Sequence, residues 1–207
     1  SFVNIQWFGM RINPSQYYKL YWRQNIFEGG GGIFMDLIHF IYILEHLLDQ
    51  KIKSVFSKMD LLDQESSLQA EHSGIAIYTL ENCIASIGLQ WGNGYNGFQI
   101  SGLDGYIHYS EKREEIEIVN KKVSKRLPIT STDFESKTIP FKKIHLSFID
   151  SIKSGSITYP HAVENLNALN ILMATYLSAF NRKPVDLPID SNHVIFNHGI
   201  NGLKYLQ

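Results

Sequence analysis

The stretch "SGIAIYTLENCIASIGLQW", residues 73–91, decides the fold. Two alternating runs, residues 73–80 and 83–91, flank the polar pair Glu81-Asn82. Residues two apart share a face of a strand. Ala76, Tyr78 and Leu80 therefore point one way, with Ile75 and Ile77 opposite them. Cys83, Ala85, Ile87, Leu89 and Trp91 share a face, with Ile84 opposite. A link this short has no room for a parallel crossover, so the runs pair as an antiparallel hairpin.

Further short runs continue the pattern at residues 52–59, 97–103, 105–110 and 114–119. Gly92-Asn93-Gly94 and Asp104-Gly105 sit between runs and tolerate the positive φ that primed hairpin turns require. The expectation is an antiparallel meander, not a βαβ series. An N-terminal strand over residues 1–9 is added by the interleaving of Phe2, Asn4 and Gln6 with Val3, Ile5 and Trp7. Three helical patterns complete the chain. The first runs over residues 33–49, behind the glycines Gly29 to Gly32. The second, residues 141–154, places Ile144, Phe148, Ile149 and Ile152 on one stripe and stops at Gly155. The third carries Val163, Leu166, Leu169, Met173, Tyr176, Leu177 and Phe180 on one apolar face, after Pro160 and before Lys183-Pro184. Beyond it lies a short extended tail with Val185 and Leu187, and His193 and His198 read as surface residues.

The fold class is thus α+β: an open, mainly antiparallel sheet with helices on one face. Both faces of the strands are apolar, so the second face also needs a cover, either another copy of the sheet or a missing domain.

Composition narrows the function classes. The chain has 207 residues, 44% hydrophobic and 19% charged, which argues against disorder. A net charge of -1 gives no electrostatic footprint for nucleic acid. The basic run Lys121-Lys122 to Lys125-Arg126 follows acidic Glu114-Glu115 and Glu117 and reads as a solvated hairpin or loop. The single cysteine, Cys83, excludes an internal disulfide and fits a reducing, cytoplasmic setting, as a buried inert thiol. The N-terminus lacks the pattern of a secretory signal, and the apolar run at residues 33–48 is too short and too polar to span a membrane. The chain begins at Ser1 and first reaches methionine at Met10, from which a truncated or processed chain is expected. Gly92 to Gly97 has Gly-x-Gly-x-x-Gly spacing but leads into another short alternating run, so no strand–glycine turn–helix unit results, and no phosphate loop, zinc spacing or nucleophile elbow occurs; no metal is expected.

One chemical feature stands out. In "GGGGIFMDLIHFIYILEHLLD", residues 29–49, Asp36 and His39 lie three apart in an otherwise apolar helix, with Tyr42 and His46 continuing a polar stripe. Two readings stay open. One is a core histidine satisfied by a neighbouring carboxylate. The other is a proton shuttle whose carboxylate fixes the imidazole tautomer.

The order of strand, Trp22-Arg23 connector, glycine run and Asp-x-x-His helix resembles the C-terminal domain of the Gfo/Idh/MocA oxidoreductases. The likeness continues in "ISGLDGYI" at residues 100–107, in "FIDSIKSG" and in "LMATYLSAFNRKPVDLP", which ends at Pro188. It covers nearly the whole chain. The resemblance implies that residues 1–207 are the substrate-binding and oligomerisation half of an NAD- or NADP-dependent enzyme acting on a sugar, cyclitol or related polyol. The resemblance also implies a Rossmann domain, carrying the main cofactor seat, outside this chain, and the chain alone is expected to be inactive. It further implies His39 as the acid/base residue with Asp36 as its orienter, and Arg23, Trp22 and His161 at the substrate. The free sheet face is implied to build a homodimer or homotetramer. The sequence departs from the pattern at the three-residue spacing and at Phe40 and Tyr42. A glycoside hydrolase of the same architecture, working through transient oxidation, and a binding or assembly module that lost its site are the alternatives.

Overall fold

The computed structural model describes residues 2–8, 32–61, 70–91, 96–129, 138–156 and 162–206. The strands are β1 (Phe2–Phe8), β2 (Ile52–Leu61), β3 (Glu71–Leu80), β4 (Ile84–Gln90), β5 (Asn96–Gly102), β6 (Gly105–Ser110), β7 (Glu115–Asn120), β8 (Ser124–Pro128) and β9 (Val185–Asp186). They form one nine-stranded sheet of order β8-β7-β6-β5-β1-β4-β3-β2-β9. The helices are α1 (Ile33–Asp36), α2 (His39–Leu48), α3 (Thr138–Ser154), α4 (Ala162–Asn181) and α5 (Val194–His198), followed by a 3-10 segment, Gly199–Leu206.

The β3–β4 hairpin forms as the sequence predicts, with Thr79 opposite Ile84 and Tyr78 opposite Ala85. Its faces are also as predicted. Ala76, Tyr78, Ala85 and Ile87 are wholly buried, whereas Ile75, Ile77 and Ile84 are about half exposed. The meander is nevertheless interrupted. β4 and β5 do not pair; β1 lies between them, parallel to β4 and antiparallel to β5. A strand from far away in sequence wins this position because it satisfies the backbone edges of both neighbours at once.

The "ISGLDGYI" stretch is the β5–β6 hairpin, with Ile100 opposite Ile107 and Gly102 opposite Gly105. Gly105 has φ +159, and a Cβ there would come within 1.9 Å of the Val119 carbonyl oxygen of β7. Only glycine allows that approach. The basic run is indeed a hairpin arm: β8 pairs with acidic β7, and Arg126 Nε donates to Glu117 at 3.0 Å.

The core lies on one face of the sheet. Residues 171–178 of α4 are all buried, because this helix rests on β2 while α2, α5 and the 3-10 segment cover its other sides. Side chains from every layer meet there, among them Ile33, Leu44, Val55, Ile87, Leu172 and Ile195. Each apolar side chain of this size contributes about 1.5–3 kcal/mol on burial. A polar seam locks the register of helix on sheet. The Ser57 N–H donates to Ser178 Oγ at 3.0 Å, the Ser57 hydroxyl donates to the Thr175 carbonyl, and Tyr78 Oη lies 3.2 Å from Thr175 Oγ1.

Two features go beyond what the sequence pattern states. The α3 stripe does not face the core: Phe141, Ile144, Phe148 and Ile152 are each more than 60% exposed. The C-terminal tail is not merely extended. It folds into α5 and the 3-10 segment and buries Ile195, Ile200 and Leu203. No described helix is long and apolar enough to cross a membrane.

Candidate active site

The helix expected over residues 33–49 is broken in two. Leu37 has φ -110 and ψ 27, which ends α1, and α2 restarts at His39. The break is bridged by tight i to i+3 bonds, from Phe40 N to Leu37 O and from Ile41 N to Ile38 O, both 3.0 Å. Asp36 is therefore the last residue of α1 and His39 the first of α2.

Asp36 is half-buried and His39 is exposed. An exposed His39 is not the satisfied core histidine of the structural reading. Asp36 and His39 sit on either side of the break between α1 and α2. His46, also exposed, stacks on Tyr42 with ring centroids 6.3 Å apart and planes 7° from parallel. Farther along α2, Glu45 accepts the Ile52 N–H at 3.0 Å and a bond from Asn167, which ties α2 to β2 and to α4. Asn167 is thus a packing residue. The predicted substrate residues Trp22, Arg23 and His161 lie outside the described residues.

The start of α1 carries a feature that sequence reasoning missed. Its cap position is Gly32, which has no side chain to receive the free amides of the first turn. Instead Glu71, from the head of β3, accepts the Phe34 N–H on Oε1 at 2.9 Å. The same oxygen accepts the Tyr176 hydroxyl of α4 at 2.7 Å. Glu71 is 1% exposed. Its other oxygen, Oε2, has no hydrogen-bond partner among the described residues. Burial pushes the carboxyl up to about 7 against the pull of these two donors, and the nearby Asp36 charge adds to the rise.

A bulge explains how Glu71 reaches this place. Asp60 and Leu61 of β2 face Ser73 and Glu71, so His72 is an extra residue in β3. The extra residue shifts the alternation and turns Glu71 to the helix-covered face. Burial pushes His72 down to about 4. The sequence held two signals for this arrangement: a helix start with no capping side chain, and a lone acid heading an apolar strand.

Among the described residues no three His, Cys, Asp or Glu side chains gather as metal ligands. Cys83 is buried, and burial raises its thiol above the ordinary value, as expected of an inert cysteine.

Known proteins now bear on these features. No curated protein sequence is significantly similar to the chain. Solved structures share its fold at low identity. The levoglucosan dehydrogenase complex with NADH and levoglucosan superposes with a TM-score of 0.71 at 17% identity, over 91% of this chain and 59% of that one. The WlbA dehydrogenase from Bordetella pertussis, in complex with NADH and UDP-GlcNAcA, gives 0.68 at 22%, over 91% and 55%. The aldose-aldose oxidoreductase from Caulobacter crescentus, complexed with glycerol, gives 0.72 at 16%, over 90% and 55%. The chain thus spans a little over half the length of these proteins, and at such identities the likeness speaks for the fold alone. The family model described as "Oxidoreductase family, C-terminal alpha/beta domain" matches residues 3–187. The chain belongs to the Gfo/Idh/MocA oxidoreductase family, as that family's C-terminal domain.

Proposed function

We propose that this chain is the substrate-binding and oligomerisation half of an NAD(P)-dependent dehydrogenase acting on a secondary alcohol of a sugar, cyclitol or related polyol. The observation that carries the reading is the placement of His39. It is a solvent-accessible imidazole at the start of α2, directly behind a short helix that is tied down from two other elements. Nicotinamide-bound enzymes of sugar chemistry among the structural neighbours support the substrate class.

The described residues include no strand–glycine turn–helix unit of the kind that seats a dinucleotide pyrophosphate. Its main seat, for NAD or NADP, is therefore assigned to the part of a longer protein that this chain does not span. When bound, nicotinamide supplies the acceptor for the hydride that leaves the alcohol carbon. The chain's own task is the proton. His39 takes the hydroxyl proton as the carbon becomes a carbonyl, and it returns that proton in the reverse direction. Asp36, on the adjoining short helix, is assigned to orient the imidazole by accepting a ring N–H. Arg23 and Trp22, together with His161, are assigned to hold the substrate's other oxygens and ring face. The open sheet face is assigned to a second copy of the chain.

The test is His39→Asn in the complete protein. Turnover should fall about 10²–10⁴-fold, with nucleotide affinity nearly unchanged. Normal turnover per folded molecule would leave the chain as a binding module and place the proton transfer elsewhere. Release of free sugar without net NADH formation would favour glycoside cleavage instead.

A further inference from the structure

We propose that Glu71 is a positioning residue for the Asp36–His39 segment, holding it in place from outside the helix. The proposal rests on the reading of His39 given above, but its basis is separate geometry. α1 has only four residues and ends at the Leu37 break, and a segment of that length has negligible helical stability of its own. Its orientation must be imposed from outside. Glu71 does this with one oxygen, receiving the Phe34 N–H of α1 and the Tyr176 hydroxyl of α4 while its own backbone belongs to β3.

The close fit at Gly32 belongs to the same device. A Cβ on Gly32 would fall 2.0 Å from both Cδ and Oε2 of Glu71. The glycine at the helix start is therefore where the carboxyl sits. A local cap from Ser, Thr or Asp would satisfy the amide equally well. It would not fix α1 relative to the sheet and α4. Burying a carboxyl is costly, and the three-way tie is what it provides here.

The test compares Glu71→Met, Glu71→Gln and Tyr176→Phe in the complete protein. Two measurements are made on each: hydrogen–deuterium exchange of the peptide over residues 32–38, and steady-state kinetics. Methionine keeps the volume but accepts neither donor. It should speed exchange at Phe34 and lower kcat about tenfold to a hundredfold, leaving substrate KM and nucleotide affinity within about twofold. Glutamine offers its amide oxygen to the same two donors and should restore both readouts to within about threefold. Loss of a merely structural residue would lower the folded fraction without this split or this rescue. The proposal is overturned if Glu71→Met keeps protection and kcat, or if glutamine does no better than methionine. Should Glu71→Met fail to fold, Tyr176→Phe decides: it removes one donor only, and unchanged kcat there is equally fatal. His39→Asn run alongside separates the two ideas. If it turns over normally, the acid/base reading has failed and the exchange data alone judge the tie at Glu71.

Discussion

At the scale of single residues, Glu71 and Gly32 are one unit, and both make measurable predictions. The Glu71 carboxyl rises from 4.5 to about 7 on folding, mainly through burial. Between those values the folded chain holds a proton that the unfolded chain has released. The resulting stability is fully present below about pH 4.5 and is lost as pH rises through about 7, an effect on the order of 3 kcal/mol. Adjacent His72 works in the opposite sense. Lowered to about 4, it is bound neutral in the fold, and its contribution is lost as pH falls below its ordinary range. The two slopes oppose each other in the wild type. The difference between Glu71→Gln and wild type, measured by denaturant titration from pH 4.5 to 8, cancels His72 and isolates Glu71. That difference should swing in favour of the variant as pH rises, and a flat difference would mean the carboxyl is ionised throughout. Gly32→Ala should cost about 1–3 kcal/mol, because Glu71 cannot withdraw without losing both of its bonds. In a Glu71→Ala background the same change should cost less than about 1 kcal/mol, and melting curves of the four variants give the coupling directly. Local sequence signals a helix start without a cap and a lone acid, but not that the two meet. Glu71 reaches Phe34 across 37 positions and Tyr176 across 105, and the bulge at His72 reverses the face that strict alternation assigns.

At the scale of elements, the sequence read well wherever local chemistry decides the outcome. The β3–β4 and β5–β6 hairpins, the buried face of the first and the end of α3 before Gly155 follow from period-two alternation and turn residues. Elements whose place depends on distant partners read badly. β1 between β4 and β5 is one, and the break between Asp36 and His39 is another. The α3 stripe shows why periodicity alone is insufficient: it predicts a stripe but not what the stripe meets. Ile144, Phe148 and Ile152 share a face that is open to solvent, whereas Leu172 of α4 is wholly buried. Leu172→Ala should therefore cost about 2–5 kcal/mol in this chain, and Phe148→Ala within about 0.5 kcal/mol of nothing. Ser178→Ala is the polar counterpart. It removes the acceptor of the buried Ser57 N–H and should cost about 1–3 kcal/mol. This also accounts for the serine in "ATYLSAF", which sequence reading took only as part of a pattern. A stable Ser178→Ala in urea titration would show that the seam between α4 and β2 is repaired by another donor or by water.

At the scale of the molecule, the sheet has one face against helices and one that, among the described residues, lacks such a cover at β2 to β4. Phe56, Ile75, Ile77 and Ile84 lie on that second face at 41–50% exposure, with Phe56 opposite Ile77 and Lys58 opposite Ile75 across β2 and β3. Rows of large apolar side chains on adjacent central strands form a continuous patch of the kind that marks an interface. A second copy of the same sheet is the natural occupant, since a two-fold contact sets each apolar row against itself and closes without leaving further copies to add. The Asp36–His39 segment lies on the helix-covered side, so substitutions on the other face test association without touching the candidate site. Ile75→Lys with Ile77→Lys should abolish self-association while leaving the far-ultraviolet spectrum unchanged, because these side chains take no part in the core. Sedimentation equilibrium gives the masses. The wild-type chain should run as a dimer or tetramer at about ten micromolar and above, and the double variant as a monomer whose burial charge penalty is slight because the lysines reach water. If the wild type is itself monomeric at those concentrations, the sheet face is covered by something other than its own copy. If the double variant still associates, the contact lies elsewhere on the chain, and the exposed stripe of α3 becomes the surface to substitute next.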